Sequence, residues 1–206
     1  VQTCALPIYP VTLPEFEIDS QPVSWGQYAE FIGDGGYDDR RWWSESGWRW
    51  LSLVAAGRRA PRFVEQANGG VLAQRQGRLQ RLPSAQSVLH VSVHEAEAWC
   101  CWAGRRLPTE AEWELAACTA ASRGFAWGEG LEWVLGSARA YPTADAAASQ
   151  PAAAAALLDP LPVQPGGRVL RGTSAFGSAR LRHPRARRYR AGDDDALFTS
   201  FRSCAA

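Results

Sequence analysis

At 206 residues, 46% hydrophobic and 21% charged, the chain is long enough to bury a core of its own and reads as a single domain. A formal net charge of +1 gives no general drive toward nucleic acid or a membrane surface, so neither is expected as a partner. No apolar stretch reaches the roughly 20 residues a transmembrane helix needs, and no charged-then-apolar leader is visible.

The first eight residues, Val1 to Ile8, resemble the translation of a sequencing-library adaptor rather than the protein that follows. Residues 1–8 are therefore expected to be a non-native leader on a truncated gene product, with the domain running from Tyr9 to Ala206 and Cys4 outside any chemical argument. Tyr9 to Asp19 alternates apolar and polar residues, which predicts a half-buried strand. Ser24 with Gln27 forms a capping box, and Trp25, Tyr28, Ala29, Phe31 and Ile32 give the helix behind it an apolar stripe, stopped by Gly33, Gly35 and Gly36. From Gly35 to Trp50 the chain is aromatic and turn-rich, and Tyr37, Trp42, Trp43, Trp48 and Trp50 read as core rather than as a ligand cage. Residues 55–84 are polar and rich in Arg, Gly and Gln, and read as irregular chain with room for one hairpin.

Ser92 with Glu95 and Thr109 with Glu112 are two further capping boxes, so Ser92 to Ala120 holds two helices. Gly104 suits the left-handed residue that ends the first of them. Residues 143–165 are low-complexity, with a pure alanine run from Ala152 to Ala156 flanked by prolines, and read as a surface loop. Arg168 to Ser174 restores a strand signal.

Five cysteines (Cys4, Cys100, Cys101, Cys118 and Cys204) show neither metal spacing nor a paired framework. Cys100 and Cys101, adjacent in a helix, point to different sides and cannot readily bridge each other. Buried structural thiols in a reducing cytosol are the favoured reading, which places the protein in the cytoplasm. His90 and His94 have a spacing that suits zinc if both sit on one helix. With Ser92 as N-cap, however, His90 falls outside the helix, and His183, the remaining histidine, is distant in sequence. Both are therefore read as structural or surface residues. Arg180, Arg182, Arg185, Arg187, Arg188 and Arg190 crowd one segment, followed by Asp193, Asp194 and Asp195. A solvated strip with local ion pairs and a ligand-facing strip both remain open.

The run Ala-Gly-Arg-Arg-Leu-Pro-Thr-Glu-Ala-Glu-Trp-Glu, residues 103–114, resembles the signature of the formylglycine-generating-enzyme (sulfatase-modifying factor) superfamily. Phe125-Ala126-Trp127-Gly128, the Glu132-Trp133 pair and Phe198 to Arg202 resemble its aromatic turn, the start of one strand and its closing strand. The resemblance implies an α+β, C-type-lectin-related fold of low regular secondary structure, with two or three helices packed on short antiparallel strands.

Copper-dependent members of that superfamily carry a cysteine pair after an Arg-Gly-Gly-Ser motif as thiolate ligands. Here the motif is Arg171-Gly172-Thr173-Ser174, and residues 174–184 contain no cysteine. Asp34-Gly35-Gly36-Tyr37, Ser46-Gly47-Trp48, His183-Pro184 and the ending Phe198 to Cys204 are similar instead to the ergothioneine and selenoneine synthases. That resemblance implies a non-haem Fe(II), O₂-dependent enzyme that joins sulfur or selenium to the imidazole of trimethyl-histidine. Its iron ligands would lie in an upstream helical domain absent from this chain, which alone is expected to be inactive and to hold no cofactor. The chain would contribute one wall of the substrate pocket, at positions matching Arg188, Tyr189 and Arg190. Tyr189 could face a quaternary ammonium through its ring, whereas Arg188 and Arg190 replace an Asn and an acidic or neutral residue and favour an anion. A non-catalytic ligand- or protein-binding module on the same scaffold is the alternative, and a formylglycine-generating oxidase a weaker one.

Overall fold

The computed structural model describes residues 11–138, 166–178 and 182–206. The expected leader at residues 1–8, the start of the first strand at Tyr9 and the loop at 143–165 lie outside these. Among the described residues there are four α-helices, α1 (Trp25–Gly33), α2 (Glu45–Leu53), α3 (Val93–Trp102) and α4 (Glu110–Thr119). The strands are β1 (Val64–Gln66), β2 (Leu72–Arg75), β3 (Arg78–Arg81), β4 (Arg105–Arg106), β5 (Leu131–Ser137), β6 (Arg168–Gly172), β7 (Arg187–Arg190), β8 (Thr199–Phe201) and β9 (Cys204–Ala205). The fold is α+β. No helix among the described residues is long and apolar enough to cross a membrane.

All three capping boxes form. Ser92 Oγ accepts from the Glu95 backbone N at 3.2 Å while Glu95 Oε2 accepts from the Ser92 N at 2.7 Å, and Thr109 with Glu112 repeats the pattern at 3.2 and 2.7 Å. Ser24 with Gln27 starts α1 in the same way, at 3.3 and 2.9 Å. Gly104 has φ +64°, the left-handed residue expected after α3.

Three segments differ from the sequence expectation. The described part of the first predicted strand makes a single bridge, Ile18 to Cys204, flanked by Asp19 N to Ser203 O and Ala205 N to Glu17 O, both 3.0 Å. The aromatic stretch contains a helix, α2, capped by Ser44 Oγ on the Gly47 N at 3.1 Å. Ser46 and Gly47 are weak helix formers, and burial of Trp50 and Leu51 outweighs their propensity. Residues 64–81 form a three-stranded antiparallel meander, where irregular chain with room for one hairpin was expected. Its second turn is the two-residue Gln76-Gly77, both at positive φ (51° and 74°), between the paired Arg75 and Arg78.

The main sheet runs β7-β6-β5-β8, antiparallel except for the parallel β5–β8 pair, which aligns Trp133 with Phe201. The predicted core aromatics Tyr37, Trp43 and Trp50 are buried, and Trp42 and Trp48 pack against them partly exposed. They join Trp25, Tyr28, Phe31, Trp133 and Phe201 in one cluster, where Tyr28 meets Phe31 and Phe201 edge to face at 5.6 and 6.2 Å.

Two buried ion-pair groups lock the sheet to the rest. Arg202 and Glu132, 0% and 1% exposed at the side chain, form a bidentate pair at 2.6 and 2.9 Å, and Glu132 also accepts from Trp113 Nε1 at 2.8 Å. Arg202 donates further to the carbonyls of Asp19, Ser20 and Ala126. Arg171, fully buried on β6, reaches Glu110 and Glu114 of α4 at 2.9 and 2.5 Å. Cys100, Cys101 and Cys204 are free thiols. Burial pushes the Cys204 thiol up to about 12 and raises Cys100 further. Cys101 departs from the buried-thiol expectation, because it lies on the outer face of α3 and is exposed.

Candidate functional site

Strand β7 carries the residues singled out in the sequence, and strand alternation places them on two faces. Arg187 and Tyr189 point inward, while Arg188 and Arg190 are half-buried on the other face. Tyr189, 7% exposed, packs with Trp113, Val134 and Val169. Its hydroxyl accepts from Arg187 Nη1 at 2.7 Å, and the same guanidinium lies over its ring at 5.1 Å. Arg187 also donates to Glu110 Oε2 at 2.7 Å. Arg188 donates to the Arg187 carbonyl at 3.1 Å and Arg190 to the Tyr189 carbonyl at 2.5 Å, with Asp194 at 4.0 Å from Arg190. The structure therefore keeps the three residues adjacent but presents the ring and the two guanidinium groups to opposite sides.

The aspartate run is divided likewise. Asp195 is buried and takes Arg58 and Arg62 at 2.5 and 2.9 Å, not the neighbouring arginine strip. Arg58 also lies 3.4 Å from Glu95, whose carboxylate accepts from Tyr37 at 2.7 Å. Burial raises the Glu95 pKa, and Arg58 and the Ser92 N–H oppose that rise. Arg182 stacks over Trp127 at 5.5 Å, and Arg185 lies 3.9 Å from Glu114. Arg180 lies outside the described residues.

The histidines do not converge. His90 stands before the N-cap Ser92, as expected, and lines a cavity of about 690 Å³. His94, in the first turn of α3, faces a different cavity of about 470 Å³ beside Trp50 and Asp193. His183 Nδ1 accepts from the Arg185 N at 3.1 Å. Burial lowers the pKa of all three, so they are largely neutral near pH 7. Among the described residues no group of three His, Cys, Asp or Glu could hold a metal ion.

The cavity at His90 is a feature the sequence reading missed. Among the described residues four non-glycine positions have positive φ, and three of them line it: Phe63 (68°), Gln76 (51°) and His90 (63°). Such conformations cost free energy and persist where the surrounding structure imposes them, often at binding sites. Four rings run along its wall in series. Phe63 meets His90 edge-on at 4.9 Å, His90 meets Phe198 at 4.9 Å, and Phe198 meets Phe176 at 4.5 Å. His90 Nδ1 is buried without a hydrogen-bond partner among the described residues. Glu129 and Arg75 supply the charges on the same wall.

The sequence model of the family described as the sulfatase-modifying factor enzyme 1-like domain matches residues 2–157. The hercynine oxygenase of Mycolicibacterium smegmatis is 39% identical over 177 residues, covering 85% of this chain and 37% of the relative. That of Mycobacterium tuberculosis is 44% identical over 126 residues, covering 59% of this chain and 29% of the relative. A formylglycine-generating enzyme of Streptomyces coelicolor is 34% identical over 138 residues, covering 61% of this chain and 43% of the relative. The chain spans about a third of the length of the hercynine oxygenases it matches.

Proposed function

The chain belongs to the sulfatase-modifying factor enzyme 1-like domain family, and we propose that it is the substrate-binding domain of a non-haem-iron, O₂-dependent synthase acting on trimethyl-histidine. The reaction would join sulfur or selenium to the imidazole, with the iron held by a helical domain elsewhere in the full polypeptide. The observation that carries this reading is the 39% identity over 85% of the chain to a hercynine oxygenase, an enzyme named for the trimethylated betaine of histidine. The much greater length of that relative leaves room for an iron-binding part.

The described residues do not fit iron. His90 and His94 occupy separate cavities and the ring nitrogen of His183 is engaged, so no step is assigned to a metal on this chain. What the chain can supply is the holding of substrate. Arg188, Tyr189 and Arg190 are the proposed wall, with an inner face that already has a guanidinium over the tyrosine ring and an outer face bearing two more. This arrangement favours carboxylate groups of a substrate over its trimethylammonium, since a second cation at that ring would meet Arg187 first. The absence of cysteine from residues 174–184 counts against a thiolate-copper oxidase.

The test is to assay the full-length protein anaerobically loaded with Fe(II), given O₂, trimethyl-histidine and a thiol or selenol donor. The expected product carries a new C–S or C–Se bond on the imidazole, and the 206-residue chain alone retains no stoichiometric iron or copper. One tightly held metal per 206-residue chain, or no product from the iron-loaded full-length protein, would overturn the reading. Failure to turn over, together with capture of a ligand, would favour the non-catalytic binding module.

A further inference from the structure

We infer that the free edge of β3 is a docking strand for an acidic extended peptide, which joins the three-stranded meander as a further strand. The inference stands on the meander alone and does not depend on the proposed function.

Charge is unevenly placed in this part of the chain. Residues 55–84 carry six arginines and a single acid, Glu65, so that +5 is concentrated here in a chain whose formal total is +1. Arg58 pairs with Glu95 and Asp195, Arg62 with Asp195, and Arg59 with Asp38. Arg75, Arg78 and Arg81 form no ion pair among the described residues, and Arg81 donates to the Gly69 carbonyl at 2.8 Å. The register sets Arg75 directly opposite Arg78 across the Gln76-Gly77 turn, where like charges repel. A carboxylate brought alongside Arg78 relieves that repulsion.

The backbone of β3 is open on the same side. The strand pairs with β2 alone, and all its residues are exposed, Leu79 by 52%. Leu82 N bonds to Val71 O at 2.8 Å, so antiparallel alternation turns the backbone groups of Arg78 and Gln80 toward β2 and those of Leu79 and Arg81 away from it. These outward N–H and C=O groups take no hydrogen bond among the described residues, which is the template that strand addition uses. A second copy of β3 is a poor occupant, because pairing the two edges brings their arginines together. The charges that oppose self-pairing select a partner of opposite sign. Strand alternation then specifies its sequence. Acidic residues face Arg81 and Arg78, a polar one Gln80 and an apolar one Leu79, which in an antiparallel partner reads acidic-polar-apolar-acidic.

Fluorescence anisotropy of a labelled peptide, Ser-Glu-Thr-Val-Glu-Ser, titrated with the 206-residue chain tests the edge. Saturable binding that weakens with rising salt is expected, together with slowed amide exchange at Leu79 and Arg81. Arg78→Gln and Arg81→Gln should each weaken it roughly 2- to 5-fold, the span of an exposed ion pair. Leu79→Pro removes an outward N–H and no bond to β2, so it should weaken binding roughly 3- to 10-fold while circular dichroism stays unchanged. A second test leaves the protein untouched. Methylating the amide nitrogens of Val and the first Glu, which face β3 in this register, should abolish binding, whereas methylating those of Thr and the second Glu should not. Equal effects of the two methylation patterns, no saturable binding, or equal binding of a peptide with Lys in place of Glu would overturn the inference. Displacement of the peptide by single-stranded DNA of equal charge would overturn it as well, by marking a general polyanion surface.

Discussion

Replacing Glu132 by Leu removes the carboxylate from a pair that solvent does not reach. Two charge-assisted hydrogen bonds to Arg202, at 2.6 and 2.9 Å, are lost, and Trp113 Nε1 loses its acceptor at 2.8 Å. Arg202 then remains buried with only the carbonyls of Asp19, Ser20 and Ala126 to solvate its charge. Breaking one side of such a buried pair costs about 3–5 kcal/mol, because the surviving charge cannot return to water. At about 2.1 cal/mol/K of unfolding entropy per residue, a 206-residue domain converts about 4 kcal/mol into a fall in Tm of about 9 °C. Guanidinium and thermal unfolding followed by circular dichroism measure both quantities. The double change Glu132→Leu with Arg202→Met should regain more than half of the loss, since no charge is then left stranded. A single-variant loss below about 1 kcal/mol, or a double variant less stable than the single one, would refute the claim that desolvation dominates here.

Thr109→Ala deletes the side-chain cap of α4 and should cost about 1 kcal/mol in chemical denaturation, with turnover of the folded full-length protein nearly unchanged. Tyr189→Leu should cost about 1–3 kcal/mol, because the ring packs with Val169 and its hydroxyl takes Arg187. In the full-length protein it should shift trimethyl-histidine and plain histidine binding alike; a selective loss of trimethyl-histidine would show that the ring meets the ammonium. Arg188→Gln with Arg190→Gln should leave stability within about 1 kcal/mol and weaken carboxylate-bearing substrates several-fold. His94 has a folded pKa held below its unfolded value by burial, so the unfolded state takes up its proton first as the pH falls. Its contribution is constant above about pH 7 and is lost as the pH falls below about 6.5 toward the folded pKa. Measured as the stability difference between wild type and His94→Gln across pH 8 to 5, that loss should be absent in the variant.

The helix starts were legible because capping is local. Ser24, Ser92 and Thr109 each bond a residue three positions on, so the chemistry is contained in a four-residue window. α2 was hidden because Ser46 and Gly47 weaken the local signal, and what stabilises it is burial of Trp50 against distant chain. The meander was legible only as room for one hairpin, because its second turn uses Gln76-Gly77 in place of the more usual Asn-Gly, leaving no strong hairpin mark. Glu132 and Arg202 were each noticed as part of a resemblance, yet their pairing spans 70 residues and no periodicity reports it. At β7 the alternation that turns Tyr189 inward was readable once the segment was taken as a strand. The aromatic cavity was not readable, because Phe63, His90, Phe176 and Phe198 come from separate segments, and only His90 is unusual in isolation.

The last turns of the chain have a consequence for how this domain is made. Phe201, Arg202, Ser203 and Cys204 are all without solvent exposure, and Arg202 reaches a carbonyl 183 positions earlier. β8 lies parallel to β5 at the sheet edge, a pairing that no hairpin can deliver. During synthesis Glu132 therefore waits with its charge uncompensated until the closing residues leave the ribosome. The helices can form early, but the sheet closes late and all at once. Losing as little as the segment from Thr199 onward should leave a collapsed, aggregation-prone body, whereas an equally long deletion at a surface loop would be tolerated.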